Sequence, residues 1–319
     1  RVLAVWAIWG CLSAFAQSAF PSRPVNIVVP FPPGGAADQP TRLFSQALNN
    51  VWKQGSVVIT RPGAGGAIGA TAVANATPDG YNLLATNPSL LILPEADRLF
   101  GRTPAFERSQ FVPLGLLVAD PVVLVVKADA PWKTYQELVA AARAQPEQIT
   151  YGSSGAYSAS HLPIEMLAHA ANMKLRHISY SGGGPAILAV LGGHIGVTAS
   201  SPSAVMAHIK AGTLRPLLTT GAKRVAVLPD VPTLSEAGVP GYEADSWTGV
   251  LLPRGTPPEI ASQLQAEVVR ITNLPETKER LTAAGFETVG STSDAFATLI
   301  KNDLTRLGKV IRDANIRAE

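Results

Sequence analysis

The chain is short of cysteine and of charge, and each shortage narrows what it can be. Cys11 is the single cysteine among 319 residues. No disulfide framework can form, and beyond the first sixteen residues thiolate metal sites and cysteine nucleophiles are excluded too. Charged residues are 15% of the chain and sum to a net +3. They are scattered, with no basic run interleaved with aromatics, so no nucleic-acid partner is expected. Phosphate signatures are also missing. There is no G-x-x-x-x-G-K-[ST] loop. Gly63-Ala-Gly65-Gly66 fails as a dinucleotide fingerprint because Ile68 holds the last glycine position and the next acid, Asp79, sits in a Pro-Asp-Gly turn. The five histidines (His161, His169, His177, His194 and His208) fall in the middle of the chain without a metal-ligand spacing. Neither a metal nor a cofactor is expected.

What the chain has in quantity is turn residues and apolar runs. It carries 28 Gly, 26 Pro and 46% hydrophobic residues, spread through the sequence, which suits an α/β protein with many loops. The N-terminus has a basic residue, an apolar run from Val2 to Phe15 and the pattern Ala14-Phe15-Ala16. Residues 1–16 therefore read as a secretory signal cleaved near Ala16. A lipoprotein signal through Cys11 fits less well because of the bulky Trp9 before it. Beyond the signal, strands such as Val25 to Phe31 and Ser56 to Thr60 alternate with glycine loops and helices, the rhythm of βαβ units and parallel sheets. The apolar run from Asp120 to Pro131 reads as a strand near a domain crossing. The Pro- and Gly-rich stretch from Leu228 to Glu259 reads as the return crossing. The expected architecture is α/β with two domains, residues 20–120 with 247–319 and residues 121–246. Each has a mostly parallel sheet flanked by helices, and two crossings join them.

Four loops follow strands and open helices: Pro32 to Asp38, Gly63 to Gly69, Gly152 to Ser158 and Ser181 to Pro185. In an open α/β sheet such positions collect ligands, because helix N-termini point free N–H groups into the crevice. Glycines there permit close approach and positive φ, although tight turns alone would account for any one of them. Asp38 either caps its helix, which is the default, or faces the ligand. Ser153 and Ser154 with His161 nearby invite a secreted serine hydrolase as the alternative function, yet Gly152-Ser-Ser-Gly155 is not the G-x-S-x-G elbow.

The segments SRPVNIVVPFPPGGAAD, RPGAGGAIGA, PDGYNLL, YGSSGAYSASHL, ISYSGGGPAILAVLGGHI, HIKAGTLRPL, LPDVPTLSEAGVPGYEADSW and GTPPEI occur in that order. Together they resemble the extracytoplasmic receptors of tripartite tricarboxylate transporters, the Bug family, over nearly all of the chain after residue 16. The resemblance implies a two-domain periplasmic clamshell (a Venus flytrap, type II-like) that closes on a small carboxylate. It implies no enzymatic activity, action as a monomer, and a membrane permease or a sensor protein as the partner. Matched by position, it implies ligand contacts from Pro33, Gly34, Gly35, Ala36, Ala37, Asp38, Ala64, Gly65 and Gly66. Thr86 and Ser89 match less closely. In the second domain it implies Ser153, Ser154, Ser158, His161, Tyr180 and Gly183. Two aspartates that the family carries after its Gly-Gly pair are here Gly196 and Ser200. This implies a carboxylate without an amine, dicarboxylic or aromatic, with Tyr157 available to an aromatic ring.

Overall fold

The computed structural model describes residues 20–239, 245–313 and 315–316. The expected signal segment lies outside the described residues. The chain begins with β1 (Val25–Val29), α1 (Asp38–Val51), β2 (Ser56–Thr60), α2 (Ala67–Ala74), β3 (Asn82–Thr86), α3 (Pro88–Leu99) and β4 (Phe111–Pro121). One residue later β5 (Val123–Lys127) opens a second unit. It continues through α4 (Tyr135–Ala144), β6 (Thr150–Ser153), α5 (Leu162–Ala170), β7 (Arg176–Ser179), α6 (Gly183–Leu191), β8 (Val197–Ser200), α7 (Pro202–Lys210) and β9 (Leu214–Thr219). The chain then returns to the first unit as β10 (Asp245–Pro253), α8 (Pro258–Thr272), α9 (Pro275–Ala283) and α10 (Ser293–Asp313).

Two five-stranded sheets result, ordered β2-β1-β3-β10-β4 and β7-β6-β8-β5-β9. β1 pairs in parallel with both β2 and β3, while β10 runs antiparallel to β3 and β4. The second sheet repeats the scheme, with β6 parallel to β7 and β8 and with β5 antiparallel to β8 and β9. In each sheet four strands share one direction and a strand belonging to a crossing lies against them. The sheets are therefore mixed rather than simply parallel. A chain that enters a sheet from its neighbour arrives from the ligand side and must run backwards.

Sequence chemistry places these elements. β1 is β-branched at every position but Asn26, with its Val and Ile side chains buried on both faces, as a strand covered on both sides requires. One face of the first sheet packs Ile27, Phe44, Leu264 and Ile271. The other packs Leu84, Leu90, Trp247 and Phe296, and the Trp247 ring meets Phe296 edge to face at 5.1 Å. Its indole N–H donates to Asp303 Oδ2 at 2.6 Å, so the buried donor is satisfied. The second sheet has its own two-sided core, Leu124, Tyr151 and Leu167 on one face and Val123, Ile187 and Val205 on the other.

Three elements exceed what the residues announced. α3 begins at Pro88, within Thr86 to Ser89, which by sequence reads as a loop, β4 is eleven residues long, and β10 occupies the middle of the region that reads only as a crossing.

Candidate functional site

The carboxyl ends of β1 and β3 carry the first-domain loops. Gly34 has φ +79°, and its N–H donates to Asp38 Oδ2 at 2.8 Å. The same oxygen takes Arg42 Nε at 2.8 Å. Asp38 is 2% exposed, so it is an internal strut. It does not cap the helix, because Ala37 is the N-cap residue and makes no side-chain cap bond. The carboxylate turns back to the glycine turn, where a backbone N–H and a guanidinium together outbid the helix end. Thr248 of β10 donates to Ala36 O at 3.3 Å and ties the loop to the sheet.

After β2 the backbone stays left-handed at Gly63 (φ 128°), Ala64 (47°), Gly65 (65°) and Gly66 (100°). The turn closes on itself, with Gly66 N–H donating to Gly63 O at 2.9 Å and Ala67 N–H to Ala64 O. A Cβ on Gly66 would stand 2.9 Å from Leu90 Cδ1 and 3.3 Å from Phe31 Cε1, so this loop lies between the β1 loop and α3. At the end of β3, Thr86 is wholly buried and its hydroxyl donates to Asn87 O. Asn87 caps α3 by accepting Leu90 N–H at 3.1 Å, and also accepts Ser89 Oγ at 2.7 Å. Pro33, Gly34, Ala36, Ala64 and Gly65 are exposed at the rim, and Gly35 partly so.

In the second domain the donors are side chains. Ser154 N–H donates to Ser160 Oγ at 2.8 Å, and that oxygen lies 3.0 Å from Ser154 Oγ and 3.1 Å from Ser158 Oγ. Ser153 is wholly buried, with its hydroxyl 2.7 Å from His177 Nε2 and donating to Gly155 O at 3.0 Å. His161, 2% exposed, accepts Tyr157 N–H at Nδ1 at 2.8 Å. Its ring stacks on His177 with centroids 4.2 Å apart. Burial, and then the neighbouring His177, pull the His161 imidazole down to about 3, so it stays neutral and keeps its lone pair for Tyr157. The Tyr151 hydroxyl donates to Glu165, whose carboxyl burial pushes up.

These contacts sort the candidates. Ser153, His161 and Thr86 hold the loops from behind, while Ser154 and Ser158 carry the hydroxyls of the loop itself. The serine–histidine contact in the domain is Ser153 with His177, not with His161. Tyr180 packs over Gly152, where a Cβ would come within 3.1 Å of its ring. Gly183 opens α6, and a Cβ there would lie 3.9 Å from Ser200 Oγ. Ser200 thus sits with the loops at the carboxyl end of β8. Gly196 precedes β8 at its amino end and packs against Trp132 and Ile149. A carboxylate there would be remote from any ligand, so only Ser200 bears on the missing acids. The two domains meet where Ser89, in the first turn of α3, and Ser158, after β6, line one cavity of about 20 Å³, room for roughly one water.

Asn87, Ser160, His177 and Arg42 were missed by sequence reasoning. An Asn-Pro pair after a strand is a legible N-cap signal for Asn87. His177 meets Tyr151 only through the β6–β7 register, which no local pattern reports.

A family model described as a tripartite tricarboxylate transporter family receptor matches residues 41–316. Among curated relatives, a UPF0065 protein from the tcbD–tcbE intergenic region of Pseudomonas sp. strain P51 is 37% identical over 94% of this chain and 89% of its own. Among solved structures, the periplasmic binding protein BugD is 30% identical with a TM-score of 0.85, covering 94% of this chain and all of that one. R. palustris Rpa4515 with adipate is 31% identical with a TM-score of 0.86, covering 93% of this chain and 99% of that one. MatC from Rhodopseudomonas palustris with bound malate is 28% identical with a TM-score of 0.82, covering 92% of this chain and all of that one. By this match along most of its length, the chain belongs to the receptor family of the tripartite tricarboxylate transporters.

Proposed function

We propose that the chain is a periplasmic receptor, acting as a monomer and without catalytic turnover, that holds a small carboxylate between its two domains. Residues 20–120 with 247–319 form one lobe and residues 121–246 the other. They deliver the bound acid to a membrane permease or report it to a sensor protein. The observation that carries this is electrostatic. α2, α3, α6 and α7 all begin at carboxyl ends of strands, and none has an acidic residue in its first turn. Their positive ends are left uncompensated by the chain's own carboxylates. The buried acid of the first loop, Asp38, has its Oδ2 committed to Arg42 and to Gly34 N–H. The favoured ligand is therefore an acid without an amine, dicarboxylic, tricarboxylic or aromatic. Adipate and malate on two relatives belong to the same chemistry.

The test is a thermal-shift screen of the chain from Gln17 against di- and tricarboxylates, aromatic acids and amino acids, followed by calorimetry. An acid at a hundred times its dissociation constant should stabilise the fold by about 2.7 kcal/mol. Equal binding of aspartate or glutamate and of their deaminated counterparts would refute the amine-free class, and no shift with any acid would refute the receptor.

A further inference from the structure

One apolar cluster lies under neither sheet. Ile92 of α3 and Leu307 and Ile311 of α10 come from the first domain, and Tyr157, Leu162 and Met166 from the second. Tyr157 is 1% exposed. Its hydroxyl donates to Ile316 O at 3.4 Å, and its phenol is one of the hydrogen-bonding partners of Arg102, a residue held chiefly by Asp97. Yet its backbone belongs to the hydroxyl loop of the second domain, between Gly155 and Ser158, and its φ is +59°.

A bulky side chain in the left-handed region is strained, and a loop that needed only to turn there would be served better by glycine. The strain is tolerated because the ring is enclosed by the other domain. From these contacts we infer that Tyr157 is a positioning residue for ligand capture, a peg from the second domain seated in a socket on the first. With the two strand crossings it makes a third link between the domains. It holds the Ser154 and Ser158 hydroxyls opposite Thr86 and Ser89, and it restricts opening to a twist about the pegged edge. The inference rests on the receptor function for its ligand consequence, but its geometric part stands without any ligand.

The experiment replaces Lys53 and Lys174, exposed positions on the two domains, by spin-labelled cysteines in the otherwise cysteine-free chain from Gln17. Interdomain distances are read without ligand and with adipate. Tyr157→Gly should broaden and lengthen the ligand-free distribution, and Tyr157→Phe should leave it unchanged. Leu307→Ala, which loosens the socket from the opposite domain, should broaden it in the same direction even if the glycine variant fails to fold. Adipate should leave Tyr157→Gly about tenfold faster than it leaves the parent, a factor of ten in affinity, and Tyr157→Phe should restore the parent rate. A glycine variant that melts higher, through relief of the strain, with parental distances would make Tyr157 an ordinary turn residue and overturn the inference. Parental distances in Leu307→Ala would do the same. Failure of adipate to bind the parent would count against the receptor's ligand class while the distances still decide the peg.

Discussion

In the first domain the loops at the carboxyl ends of the strands are glycine turns braced by an ion pair. In the second, the loop after β6, which takes the place of β1, is serine hydroxyls backed by two stacked imidazoles, while the loop after β7 is again glycine. The strand orders are the same once the crossing strand of each sheet is set aside, so topology does not explain the contrast. Backbone N–H groups offer one kind of contact whatever the residue, and they suit the feature every candidate ligand shares, its carboxylate. Hydroxyls both donate and accept, and a single substitution changes them. In the proposed receptor the rest of the ligand is the variable part, and it falls to them.

The largest blow to this contrast should come from Gly66→Val. At φ +100° with Leu90 and Phe31 already close, a branched Cβ brings backbone strain and overpacking together, about 3 kcal/mol. Denaturant melts should show that loss, and calorimetry an affinity at least ~100-fold weaker. Asp38→Ala comes next. It removes the acceptor of Gly34 N–H and the partner of Arg42, about 2 kcal/mol for a charge-assisted bond. Affinity should drop ~10-fold because the loop loses its brace. An unchanged affinity would mean the first loop holds its shape without the ion pair.

Acid separates the domains more gently. His161 has its folded value depressed to about 3, below an unfolded value of about 6.5. As pH falls below 6.5 the unfolded chain gains a proton the native one refuses, and about 1.4 kcal/mol of stability is lost per unit. Asp120 on β4 moves the other way. Burial, opposed by the Glu287 N–H and assisted by the charges of Glu287 and Asp245, raises it to about 7. The native state then takes the proton first and gains stability as pH falls from 7 toward 4. Glu165, also raised by burial, adds to that gain. Asp120→Asn should remove the larger share and expose the histidine loss, so its melting temperature should drop more between pH 7 and pH 5 than that of the parent. Parallel profiles would contradict the assignment. The smallest effect belongs to Ser153→Ala. Its hydroxyl serves His177 and Gly155 rather than the cleft, so stability should fall by about 1 kcal/mol and affinity by less than ~3-fold. A large affinity loss would place Ser153 against the ligand.

Much of this was legible in the residues because short β-branched runs ending in glycine turns declare their class locally. β2 fell on Ser56–Thr60 as read, and α4 began one residue after the capping Thr134. β4 was obscure because Pro113 and Gly115 interrupt its apolar run. They are tolerated since the pairing with β10 shifts register beside them, at Val250/Leu251, and the backbone of residues 287–291 bonds the other edge of β4 from Leu116 onward. β10 was hidden among prolines and glycines, with Gly249 at its own centre. Within the site, the glycine loops could be read from spacing. The direction of the Asp38 side chain and the imidazole stack could not, because both depend on contacts made only after the sheets form.

The position of β10 has a consequence for how the chain can be assembled. The second sheet is built from one uninterrupted stretch, Val123 to Thr219, whereas the first has an empty slot between β3 and β4 until residues 245–253 arrive. A chain emerging from its N-terminus can complete the later-encoded domain first. The earlier-encoded one must wait with two strand edges unpaired, most exposed to stray pairing while the rest of the molecule is still being delivered.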